Sequence, residues 1–200
     1  TILTLGAVAR ASADDAGAFM QWFASRGGEA PGLSLQHFAG MGHGVAATEA
    51  TIITKNDLLL RVPLDLVISR ATIAAQFMAA DRTRRAAFAA VGDATHEIAL
   101  FVMLQRCLGD RSAWAPWLRL VPSRVPATHT WADDELALVE VAAQGISRRS
   151  KEWRDELRDA WRDLFDRGIA QSILGERCIA ESDNDNAGVF AEAVTLVDTR

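Results

Sequence analysis

The residues that could do chemistry begin at Gly40-Met41-Gly42-His43-Gly44-Val45-Ala46-Ala47-Thr48. Glycine at every second position leaves backbone N–H and C=O groups bare, so a small molecule can lie directly against the chain. Gly42-x-Gly44-x-x-Ala47 also fits the formal pattern of a dinucleotide-binding loop. That pattern works only where a helix starts inside the glycine run and holds a pyrophosphate at its N-terminus. Here Thr48, Thr51, Ile52, Ile53 and Thr54 follow, and β-branched residues resist helix formation. Lys55-Asn56-Asp57 then reads as a turn and Leu58 to Val62 as a buried strand. The expected order is strand, glycine loop, strand, turn, strand: a β-meander, not a βαβ unit.

The words around this loop carry a resemblance. Gly42-His43-Gly44-Val45-Ala46-Ala47-Thr48, then Leu59-Leu60-Arg61-Val62-Pro63-Leu64-Asp65-Leu66-Val67-Ile68-Ser69, is similar to the opening of a SET domain. More narrowly, it resembles the Rubisco large-subunit methyltransferase-like class. Phe19-Met20-Gln21-Trp22-Phe23 resembles the helix that precedes the loop in that class. Trp114-Ala115-Pro116-Trp117-Leu118, Val121-Pro122 and Thr130-Trp131-Ala132-Asp133-Asp134-Glu135-Leu136 resemble its helical insert. Phe190-Ala191-Glu192-Ala193-Val194, with Val197, Thr199 and Arg200, resembles the helix leading into its cofactor site.

The resemblance implies methyl transfer from S-adenosyl-L-methionine to a protein side chain, lysine in most members and histidine in some. It implies cofactor-binding residues at Met41, Gly42, His43, Gly44 and Arg200. The loop would contribute backbone groups, and Arg200 would face the cofactor's carboxylate as a guanidinium–carboxylate pair. Met41 stands where the class has an acidic residue, and a thioether is at most a weak acceptor. The reaction needs a neutral amine, and a lysine of pKa about 10.4 costs roughly 4.6 kcal/mol to deprotonate at pH 7. The class surrounds that amine with a tyrosine hydroxyl and closes the cofactor pocket with an Asn-His motif. This chain has no tyrosine, and its asparagines, Asn56, Asn184 and Asn186, precede no histidine. The expectation is therefore the first part of a SET domain with its insert, inactive alone, with no catalytic residue assigned.

The elements that must position the loop are legible in outline. Ser12 with Asp15 suits a helix start, Phe19, Trp22 and Phe23 fall on one helical face, and Gly27-Gly28 ends it. Leu33 to Phe38 alternates as a strand does. After Ser69 the chain turns helical: Thr72 to Ala80, Thr95 to Leu108 ending at Gly109, and Trp114 to Leu120 closed by Pro122. Thr130 is expected to cap a further helix, and Asn186 a last one over Ala187 to Thr199. Trp153, Leu157, Ala160, Trp161 and Leu164 form a single apolar stripe. The fold class expected is α+β. Residues 1–69 form the N-terminal helix and first part of the SET domain, 70–185 the helical insert, and 186–200 the start of the returning core.

Composition narrows the functions. Half the residues are hydrophobic and 24% are charged, as in ordinary globular proteins. A net charge of −5 argues against a nucleic-acid partner, which needs a basic face. The clusters Arg82, Arg84, Arg85 and Arg148, Arg149, Lys151 read as solvated faces. No apolar run is long enough to span a membrane. Cys107 and Cys178 are read as two buried free thiols in a reducing, intracellular setting, and His37, His43, His96 and His129 show no metal-ligand spacing. The chain opens on Thr1, which suggests an incomplete or processed start. The main alternative is a non-catalytic helical protein-interaction module using the Trp153–Leu164 stripe. A nucleotide-binding enzyme built on the Gly42–Ala47 loop is a third reading.

Overall fold

The computed structural model describes residues 13–39, 42–77, 81–122, 124–140, 142–179 and 183–198. Its helices are α1 (Ala13–Ser25), α2 (Arg70–Gln76), α3 (Arg82–Ala90), α4 (Ala94–Leu108), α5 (Ala115–Leu118), α6 (Asp133–Glu140), α7 (Ile146–Asp166), α8 (Ile169–Leu174) and α9 (Asp183–Asp198). Two strands, β1 (Leu33–Phe38) and β2 (Gly42–Ala47), pair antiparallel. This is a mixed α+β fold with one short hairpin and a mainly helical remainder. The chain divides into two compact units, Thr1–Ile68 with Gly109–Ser123, and Ser69–Leu108 with Arg124–Arg200.

The first unit holds the hairpin. The apolar face of α1 carries Phe19, Trp22 and Phe23, and Trp22 packs 5.8 Å from Trp114 while its Nε1–H donates to the Ala113 carbonyl. The helix stops because Gly27 adopts φ +83°. Its N–H donates to Ala24, and that of Gly28 to Phe23, the paired closure of a Schellman motif. Ser12, the expected cap, lies outside the described residues.

The expected meander is only partly present. Its first two strands are β1 and β2, but β2 ends at Ala47, and Thr48 and Thr51 form a turn with their hydroxyls 2.6 Å apart. The turn at Lys55-Asn56-Asp57 forms as expected: Asn56 takes φ +75°, and the Asp57 carboxylate accepts from the Thr54 N–H. The third strand does not form. Between Leu58 and Val62 only Arg61 pairs, in a single bridge to Glu29 backed by an ion pair of 2.7 Å. Leu58, Leu59, Leu60 and Val62 are 41–52% exposed. β-propensity describes a fit to a pleated, half-buried surface, and this stretch has no neighbouring ladder among the described residues to supply one.

The second unit is a helical core. α4 is buried along most of its length, and Leu100, Phe101, Leu136, Trp161, Ile173, Phe190 and Val194 are all but inaccessible. α4 packs against α2, α8 and α9, and α7 against α6, α8 and α9. Polar groups fix the joints. Ser69 and Thr72 close a capping box on α2. The Glu140 carboxylate accepts from the N–H groups of Gly145 and Ser147 at the start of α7, where the helix dipole favours negative charge. Buried Glu97 accepts from Arg70 Nε at 2.6 Å, and the same guanidinium donates to the Gly92 carbonyl.

Three helical expectations shift. Thr130 does not cap α6: it ends a short turn, Thr128–Thr130, and its hydroxyl donates back to Ala127. α6 starts at Asp133, with Glu135 accepting from the Ala132 N–H. α9 starts at Asp183, so Asn186 is a buried residue inside the helix, not its cap. Thr72–Ala80 shortens to Arg70–Gln76, and Met78 to Ala80 lie outside the described residues.

The cysteines are not free. Cys107, in the last turn of α4, is bonded to Cys178 in the short turn Glu176–Cys178, with Cα atoms 5.6 Å apart. The packing of α4 against α8 brings them together, which a separation of 71 residues does not announce. The reducing setting was inferred from two free thiols and loses that support, since disulfides persist mainly in oxidising compartments.

Candidate functional site

The glycine loop sits at the turn end of the β1–β2 hairpin. Phe38 pairs with Gly42, His37 with His43 and Gln36 with Gly44. Met41 and Arg200, the other expected cofactor contacts, lie outside the described residues. Gly42, His43 and Gly44 belong to the first unit, and α9, which runs toward Arg200, to the second.

The two glycines are required for different reasons. Gly42 has φ +82°, which strains any residue bearing a Cβ. A Cβ placed there meets nothing within 4 Å, so its surface is open to an approaching group. Gly44 has no positive φ. A Cβ there would stand 2.9 Å from Phe38 Cε2, because the Phe38 ring lies over it on the same face of the hairpin. The Cα face of Gly42 is therefore open, whereas that of Gly44 is covered by the Phe38 ring.

The other face of the hairpin carries Leu33, Leu35 and His37 opposite Ala47, Val45 and His43. The His37 and His43 rings have centres 5.3 Å apart at an interplanar angle of 75°. Neither makes a hydrogen bond or ion pair among the described residues. Residues six apart with a turn between them give no periodic signal, so the pairing is visible only once the register is known.

A separate cleft of about 860 Å³ opens in the second unit between the Arg124–Glu135 segment, α7 and the first turns of α9. Its α9 wall is Ala187, Gly188 and Ala191, and its rim carries Arg124, Arg154 and Arg158. These arginines are engaged: Arg154 donates to the His129 and Trp131 carbonyls and pairs with Asp133, Arg158 pairs with Asp155, and Arg124 donates to Thr130. His129 Nε2 lies 2.6 Å from Thr195 Oγ1. That hydroxyl donates to Ala191, so His129 donates through Nε2–H, and in the neutral ring Nδ1 is the acceptor nitrogen. Burial first, and then the positive Arg154, hold its pKa below the ordinary histidine value, against a smaller pull from Asp198.

Leu157, Trp161 and Leu164 of the α7 stripe are buried in the core and Trp153 is 39% exposed, so the stripe is an internal seam. Trp114 and Trp161 are packing anchors. Arg84 of the first basic cluster is bonded to Asp81 and to the Ile173 carbonyl, and Arg148 and Lys151 pair with Glu152 and Asp133. Among the described residues no helix is long and apolar enough to cross a membrane, and no group of three or more His, Cys, Asp or Glu is placed to hold a metal. Comparison with known proteins finds no family model that matches the chain and no curated protein similar to it.

Proposed function

We propose that this chain is the cofactor-loop part and helical insert of a SET-class protein methyltransferase that uses S-adenosyl-L-methionine. The observation that carries the reading is the surrounding of Gly42. It is a positive-φ glycine with open space above it, at the turn end of a hairpin that follows an aromatic-faced helix. The segment after it returns to bridge Glu29 through Arg61 before the helices begin. The resemblance assigns the cofactor contacts to Met41, Gly42, His43, Gly44 and Arg200. The cofactor would supply an electrophilic methyl group, and the acceptor is a protein lysine or, in the class's other mode, a histidine. With no tyrosine and no Asn-His pair in these 200 residues, binding without turnover is expected.

The test is calorimetric titration of the purified chain with S-adenosylmethionine and, separately, with NAD(H). Saturable binding of the first, lost in Gly42→Val, supports the reading. Saturable NAD(H) binding with no response to S-adenosylmethionine overturns it in favour of a nucleotide site. The alternative, a non-catalytic interaction module, draws on a different observation: Ile52, Leu58, Leu59, Leu60 and Leu64 are exposed apolar residues of the first unit. It predicts no response to either small molecule.

A further inference from the structure

The two histidines of the hairpin form a juxtaposition that the methyltransferase reading does not use. His37 and His43 are directly opposed in the β1–β2 register. The ladder type follows from the strand end, where Thr48 N–H donates to the Gly32 carbonyl. Hydrogen-bonded pairs alternate from there, so 37 and 43 form a non-hydrogen-bonded pair, in which Cα atoms approach to about 4.5 Å and side chains lie closest. His37 is exposed and His43 partly so, and both rings lack other polar partners among the described residues. Leu35 and Val45 are the next pair along the same face.

We propose that His37 and His43 form a two-imidazole site for a borderline divalent ion, zinc or copper. The geometry is the argument. Two imidazoles sharing one tetrahedral zinc through bonds of about 2.0 Å hold their ring centres roughly 5.2 Å apart. The observed centres are 5.3 Å apart with the rings edge-on at 75°, a spacing that suits a shared ion once each ring turns about its side-chain bonds to aim a nitrogen at it. Neutral imidazole suits Zn²⁺ and Cu²⁺, and hard ions such as Mg²⁺ prefer oxygen ligands. The protein supplies two ligands, leaving the remaining positions to water. The strands hold both ligands in advance, so the second imidazole binds as an intramolecular partner of the first.

The test is calorimetric titration of the full chain with ZnCl2 at pH 7.5, with the histidine ring proton resonances followed in parallel. One zinc per chain is expected, shifting the His37 and His43 resonances and leaving those of His96 and His129 in place. Removing one of two preorganised ligands removes an effective-concentration advantage on the order of 100-fold, so His37→Ala and His37→Gln should each weaken zinc by that order. His96→Ala should leave the affinity unchanged, and CuCl2 should bind more tightly than ZnCl2. Absence of saturable zinc binding, a loss under tenfold in both His37 variants, or an equal loss in His96→Ala overturns the site. None of these readouts involves S-adenosylmethionine, so the metal site and the cofactor reading stand or fall separately.

Discussion

Breaking the Cys107–Cys178 bond should lower the stability of the helical unit by about 4 kcal/mol. The bond joins residues 71 apart, and closing a loop of that length removes denatured-state entropy corresponding to roughly 4.4 kcal/mol at 25 °C. Residual structure in the unfolded chain reduces the figure, so it is an upper value. Little native packing is lost with it, because Glu176–Cys178 buries no side chain and Cys107 is exposed. For a unit of this size the change corresponds to a fall in melting temperature of roughly 15 °C. The assay is urea unfolding followed by far-ultraviolet circular dichroism, with and without reductant, beside the Cys107→Ser/Cys178→Ser double variant. A thiol titration in denaturant should find no reactive thiol before reduction and both cysteines after it. Both cysteines lie in the second unit, so any separate transition of the hairpin unit should not move. A loss below about 1 kcal/mol, in a protein whose thiols titrate as joined, would refute the loop-entropy reasoning.

Other residues make shorter predictions. Trp161→Ala removes a side chain that is 0% exposed and lies against Phe165 and Phe190. It should cost about 3–5 kcal/mol in chemical denaturation. Arg70→Ala strands the buried Glu97 carboxylate, which now accepts at 2.6 Å. The expected cost is about 2–3 kcal/mol, below that of a fully buried pair because Arg70 is half exposed, and Arg70→Ala/Glu97→Gln should recover part of it. His129 titrates below the ordinary value in the fold, so the unfolded chain takes up its proton first. Its contribution is complete above about pH 6.5 and is lost as pH falls through the lower folded value. Denaturation midpoints should therefore drop between pH 7 and pH 5, and less steeply in His129→Gln.

What the sequence revealed divides along physical lines. Elements with a strong local signal were legible: the aromatic face of α1 and its glycine stop, the turn at Asn56, the α7 seam, and α4 with its end at Gly109. Elements whose identity depends on a distant partner were not. Leu58 to Val62 has the composition of a buried strand but pairs through Arg61 alone. Thr130 and Asn186 are good capping types, yet Thr130 closes a turn and Asn186 is buried within a helix. Cys107 with Cys178, and His37 with His43, are pairs created by packing and by register. At the candidate site the glycines were visible at once, but their reasons were not: composition cannot separate a glycine needed for its φ from one needed under an aromatic ring.

That distinction can decide what the loop is for. If Gly44 is glycine only because Phe38 covers it, Gly44→Ala must displace the ring, since its Cβ would stand 2.9 Å from Phe38 Cε2. Overpacking of this kind costs about 1–3 kcal/mol. Shortening the ring should then relieve it: in Phe38→Leu the same Gly44→Ala change should be nearly neutral, giving a coupling of about 1 kcal/mol or more between the two sites. Gly42→Ala behaves differently. Nothing lies within 4 Å of its Cβ, but φ is +82°, so about 1–2 kcal/mol of backbone strain should appear whatever residue occupies position 38. Binding can then be read against this background. A ligand that needs bare backbone at Gly44 would be lost in Gly44→Ala/Phe38→Leu, where the fold is intact. A ligand that uses Gly42 and His43 alone would be retained. Absence of coupling between positions 38 and 44 would refute the packing explanation and return Gly44 to the ligand.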